Sequence, residues 1–130
     1  MSVQITLPRT KLKAATECAA FVYFMRADGT SRCKVGLTRS IAARERSLSV
    51  GSADKLIVEA FIEFETRKQA QEIERKLHGH LKQNGRLLKG EWFRILPQEI
   101  HSLARVFQGR EGVARVYCVM SFDSELTDCA

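Results

Sequence analysis

No apolar run in this chain approaches the roughly 20 residues that a membrane-crossing helix needs. The opening stretch MSVQITLPRTKLK carries lysine and arginine but lacks the apolar core of a secretory signal, so the cytoplasm is the expected location. Cysteine is scarce: Cys18, Cys33, Cys118 and Cys129 are four in all, and none forms a C-x-x-C pair. That spacing argues against a zinc site and lends no support to a disulfide framework, so reduced thiols are expected. Internal repeats and low-complexity segments are also missing. The 130 residues therefore predict one domain with a modest core.

What is present is globular in character, with 45% apolar residues. Lysine and arginine number 21 against 15 acidic residues, a formal charge of +6. A basic domain of this size attracts polyanions, with nucleic acid the leading candidate. The same balance also fits a soluble protein with an incidental surplus of positive charge.

Residues 20–26 and 33–37 read as strands, being apolar and rich in Val, Phe and Tyr, with Asp28-Gly29 as the turn between them. Alternation sends Phe21, Tyr23 and Met25 to one face and Val22 and Phe24 to the other. Ser40 is a plausible cap for a helix ending near Val50, with Gly51 as its stop. LIVEAFIEF, residues 56–64, predicts a third strand. Thr66 and Gln69 have capping-box spacing, and the helix they open should end near Asn84-Gly85. Pro97 suits the first turn of a further helix. The segment GVARVYCVMSF fits either a fourth strand or a packed tail.

Charged residues stand where helical periodicity wants apolar ones. In the helix after Thr66, Ala70, Ile73, Leu77 and Leu81 share one face, and Glu74 and His78 lie on its edge. A carboxylate partly withdrawn from water needs a positive partner, either a side chain or a metal ion. In the helix after Ser40, Arg44 falls in the stripe with Ile41 and Leu48, while Arg46 points to solvent. Arg44 and Glu74 could simply pair with each other. Tyr23 could be core, Lys34 an edge-strand charge, and Trp92 and Phe93 anchors that close the sheet. His78 and His80 face different directions and do not form a two-histidine metal pair. Glu91 has no role derivable from pattern. Arg105, Arg110 and Arg115 could contact DNA or be solvated charge.

Together these residues resemble the GIY-YIG nuclease superfamily. Phe21-Val22-Tyr23 stands at the first motif and Lys34-Val35-Gly36 at the second. Arg44 falls at the expected arginine and Glu74, in IERKLHGHL, at the expected metal-binding glutamate. The closing GEWF looks like the phage-associated branch, whose second motif often reads Lys-Ile-Gly. Phe21 replaces the usual first glycine and Lys34 the usual tyrosine, and Asn84 is the candidate for the later asparagine. The resemblance covers about residues 20–96. It implies an α+β fold, a small three-stranded antiparallel sheet flanked by helices with an added C-terminal helix. The implied division is a lead-in at 1–18, a nuclease domain at 19–96, and a C-terminal helix and tail at 97–130. The implied activity is metal-dependent hydrolysis of phosphodiester bonds in DNA. Glu74 would hold Mg²⁺ or Mn²⁺, Arg44 would stabilise charge on the phosphate, and Tyr23 would take or relay the proton of the attacking water. Lys34 would assume part of the missing tyrosine's work, and Lys34 or the metal would lower the Tyr23 pKa. The alternative is a catalytically inactive nucleic-acid-binding or regulatory protein on the same fold.

Overall fold

A computed structural model describes residues 20–50 and 55–119. Strand β1 (Ala20–Ala27) and strand β2 (Arg32–Thr38) form the expected antiparallel hairpin. Helix α1 (Ile41–Val50) follows, with the Ala43 N–H donating to Ser40 Oγ at 3.2 Å. The stop expected at Gly51 lies outside the described residues, as do Cys18 and Cys129. Strand β3 (Leu56–Phe64) pairs antiparallel with β1 on the side away from β2.

Helix α2 (Arg67–Gln83) starts and stops where its sequence indicates. The Gln69 N–H donates to Thr66 Oγ1 at 3.2 Å, and the Thr66 hydroxyl donates to Gln69 Oε1 at 3.1 Å. At the other end Asn84 is the cap, and Gly85 takes the left-handed φ of 71° that a side chain disfavours. Two short strands, β4 (Leu87–Lys89) and β5 (Trp92–Arg94), come next. Helix α3 (Pro97–Arg105) begins with its proline in the first turn, and strand β6 (Val113–Cys118) ends the described chain.

The expected three-stranded sheet is corrected: six strands form one antiparallel sheet in the order β4-β5-β2-β1-β3-β6. The physical reason lies at the edges. β2 and β3 would otherwise present rows of unpaired N–H and C=O groups to solvent. β5 covers the outer edge of β2 and carries β4 beyond it, and β6 covers β3. β4 and β5 have three residues each, too few for an alternating pattern to register. The GVARVYC segment is a strand rather than a packed tail.

β1 is buried on both faces because it is central. Val22 and Phe24 join Val35, Ile62, Phe93, Leu77, Leu81 and Ile100 in the main core, beneath α2 and α3. Phe21, Tyr23, Met25 and Phe61 form a smaller core on the opposite face, against Ile41 and Leu48 of α1. Each fully buried large side chain contributes about 1.5–3 kcal/mol relative to exposure. The main core therefore holds the sheet, while α1, which buries none of its residues completely, rests on the lesser one. Among the described residues no helix is long and apolar enough to cross a membrane.

Candidate functional site

Strand alternation places Val35 and Cys33 in the main core, so Lys34 and Gly36 emerge on the opposite face. Tyr23 stands opposite Gly36 in the ladder. A Cβ built on Gly36 would lie 2.3 Å from the Tyr23 hydroxyl oxygen, so the tyrosine fills the space that a side chain at Gly36 would need. The glycine of the second motif is thus a consequence of the tyrosine of the first.

Tyr23 is only 1% exposed. Its hydroxyl makes no hydrogen bond among the described residues. Burial pushes its pKa up to about 12; Arg44 opposes the rise, and Glu91 and Glu74 add to it. The expectation that Lys34 lowers this pKa is not met: Arg44 is the cation that acts on the hydroxyl, and burial outweighs it.

Lys34 instead holds Glu91, with Nζ 3.1 Å from Oε1. Glu91 sits just before β5, and its backbone carbonyl accepts from the Val35 N–H at 3.1 Å. Sequence pattern assigned Glu91 no role, and the structure makes it the link between β5 and the charged side of β2.

Glu74 reaches the same neighbourhood from α2, its side chain 19% exposed. Burial holds its pKa above the ordinary value; His78 opposes that, Glu91 reinforces it, and Lys34 and Arg67 oppose it. His78 Nε2 lies 2.8 Å from the Val35 carbonyl oxygen and 3.9 Å from Glu74 Oε2. A carbonyl only accepts, so Nε2 carries the proton and donates it there. The ring also packs on Phe93 at 5.1 Å between centroids. His78 therefore pins α2 to β2 and fixes the height of Glu74 along the strand.

Arg44 comes from α1, on the other face of the sheet, and is half-buried. The simple Arg44–Glu74 ion pair allowed by the sequence is absent among the described residues. Tyr23, Arg44, Glu74 and Glu91 share one electrostatic neighbourhood, and Lys34 and His78 join it through the two glutamates.

The other candidates lie elsewhere. Asn84 caps α2, its side-chain amide donating to the His80 carbonyl at 2.8 Å. Arg115 is bound to Glu63, Nη2 to Oε1 at 2.5 Å, and Arg110 lies over the Phe107 ring. Cys33 is a free, buried thiol. No cluster of three or more His, Cys, Asp or Glu suited to a metal exists among the described residues.

A second polar cluster escaped the pattern reading. Glu59, 4% exposed, accepts from Arg26 Nε at 2.9 Å and meets His101 Nε2 at 3.1 Å. Burial raises its pKa, but the bonds from His101 and Arg26 overcome this and leave it lowered. The irregularity in the β1–β3 ladder between Phe24 and Met25 leaves Glu59 without a partner in the register. The legible signal was a glutamate inside the apolar run LIVEAFIEF.

An antiparallel sheet with a charged cluster gathered from helices on both faces is an α+β domain built around a polar site. Residues 20–108 match the T5orf172 domain, and the chain belongs to that family. This is a phage-associated domain related to GIY-YIG and HNH-like nucleases, which points to a nuclease or nucleic-acid-related role. No curated protein and no solved structure matches the chain.

Proposed function

We propose that the protein is a metal-dependent endonuclease of the GIY-YIG type that hydrolyses phosphodiester bonds in DNA. The observation that carries this reading is the approach of Arg44 and Glu74 to Tyr23 from opposite faces of the sheet without pairing to each other. Both charges stand near one hydroxyl, and burial holds the Glu74 carboxyl above its ordinary pKa despite His78, Lys34 and Arg67. A phosphate and a cation would satisfy both.

Glu74 fits a divalent cation. Its carboxyl is raised by burial and by the negative charge of Glu91, and a bound cation would relieve both effects. Glu74 would hold Mg²⁺ or Mn²⁺, hard ions suited to oxygen ligands. When bound, the ion would supply charge stabilisation and a more acidic water. Arg44 would meet the phosphate oxygens as their charge grows, a task matched by a guanidinium fork. Tyr23, at about 12, keeps its proton near neutral pH. It would therefore orient the attacking water and relay a proton at Oη, not act as a standing phenolate. Lys34 would act by holding Glu91 in place beside Glu74.

The test is cleavage of supercoiled plasmid by the full chain with Mg²⁺, with Mn²⁺ and with chelator. Metal-dependent nicking is expected, reduced roughly a hundredfold or more by Glu74→Ala, Arg44→Ala or Tyr23→Phe. A second reading, a module that binds nucleic acid without cutting it, is favoured by the near-complete burial of Tyr23. Wild-type protein that never nicks in either metal, yet binds DNA with a steep salt dependence, would establish that second reading instead.

A further inference from the structure

Trp92, the single tryptophan of the chain, lies on the same face of the sheet as Tyr23 and Lys34. Its neighbour Phe93 turns into the main core, so Trp92 and Arg94 emerge on the opposite side. The indole is half-buried, not core. The Arg32 guanidinium carbon lies 5.6 Å from the ring centroid and Lys34 Nζ 5.9 Å, both within the roughly 6 Å at which a cation and a π face attract. Lys89 is the ladder partner of Trp92 on β4, and Arg32 stands directly opposite Arg94 between β2 and β5. Glu91, the acid preceding the ring, is matched by Lys34 at 3.1 Å.

We infer that this patch is a binding track for single-stranded nucleic acid, with Trp92 stacking on an unpaired base while Arg32, Lys34, Lys89 and Arg94 hold the flanking phosphates. The inference rests on the nucleic-acid reading above and specifies the form of substrate. An aromatic ring set among cations is the combination that single strands require, because every unpaired base offers a π face. Base pairs inside a duplex are stacked on one another and offer none. Lys34 belongs to both the track and the polar cluster, so a strand held on Trp92 leads toward Tyr23 and Arg44.

The sole tryptophan makes the test direct. Full-length protein in chelator is titrated with a single-stranded oligodeoxynucleotide, its RNA equivalent and its blunt duplex. Tryptophan emission and the anisotropy of labelled strands are followed together. Both single strands are expected to quench the emission, and the duplex to bind about tenfold more weakly without quenching. Trp92→Leu and Arg94→Gln are each expected to weaken single-strand binding, the former by about tenfold. Arg94 is exposed, so its variant keeps the test valid if Trp92→Leu fails to fold. Strand binding with unchanged emission, or equal quenching by duplex, overturns the track and leaves the nucleic-acid reading standing. Binding of none of the three overturns both.

Discussion

Gly36 has no side chain because the Tyr23 ring occupies the position one would take. A Cβ there would lie 2.5 Å from the ring carbon that bears the hydroxyl, as well as 2.3 Å from the oxygen. Gly36→Ala is therefore expected to destabilise the protein by about 1–3 kcal/mol through overpacking. Tyr23→Phe should not relieve this, because the ring stays, whereas Tyr23→Ala should. A double-mutant cycle read by denaturant unfolding checks the coupling, and additive losses would disprove the close approach. Glu74 makes a second case. Its carboxyl pKa is raised in the fold, so the charged form is disfavoured there relative to the unfolded chain. The sign follows: stability contributed by this group declines as pH rises above the ordinary value of 4.5. In chelator at neutral pH, Glu74→Gln is expected to raise the melting temperature. Added Mg²⁺ is expected to raise it for wild type and not for Glu74→Gln. A lower melting temperature for the variant in chelator would refute the strained carboxylate.

At the scale of elements, α3 is fastened to the sheet at both of its faces. His101 reaches the buried Glu59, and Glu99 receives both terminal nitrogens of Arg86, at 2.9 and 2.6 Å. Glu99 Oε1 also accepts from the Leu96 N–H at 3.0 Å, so one carboxylate caps the helix and ties it to the start of β4. Arg86, then the Leu96 N–H, hold the Glu99 pKa down to about 2. A depressed carboxylate contributes stability that is complete above 4.5 and is lost as pH falls toward 2. The pair is about a third exposed, so the effect is small and screened by salt. Melting temperature measured across that acid range should fall less steeply for Glu99→Gln than for wild type. Parallel curves would show that the pair adds nothing to acid sensitivity.

For the whole molecule, the main core runs through the sheet into α3, where Ile100 and Ala104 are fully buried. β6 completes the edge beside β3. A chain ending at residue 96 would expose that core and bare the β3 edge. It is expected to lose cooperative thermal unfolding and to aggregate. A sharp, reversible melt from such a fragment would show that residues 20–96 suffice. The same continuity makes the charged cluster rigid, since α2 is held by buried Ala70, Leu77 and Leu81, and Glu74 rides on it.

Local pattern was enough to place the long elements, because capping, turn chemistry and alternation act within a few residues of one another. Ser40, Thr66, Asn84-Gly85 and Pro97 mark helix ends that the structure keeps. The alternation in FVYFM correctly divides two cores. Arg44 and Glu74 were legible as candidates because charge in an apolar stripe is a conflict visible in one dimension, whereas Tyr23 was marked only by the family resemblance. Tertiary structure alone decided the rest. The six-stranded sheet depends on pairings between distant segments, and three-residue strands carry no period of their own. That Lys34 holds Glu91, that His78 anchors to Val35, and that Arg44 stays apart from Glu74 follow from distances across the sheet. Side-chain charges choose partners by proximity in space, and proximity is created only when the edges of β2 and β3 find the strands that satisfy their backbone.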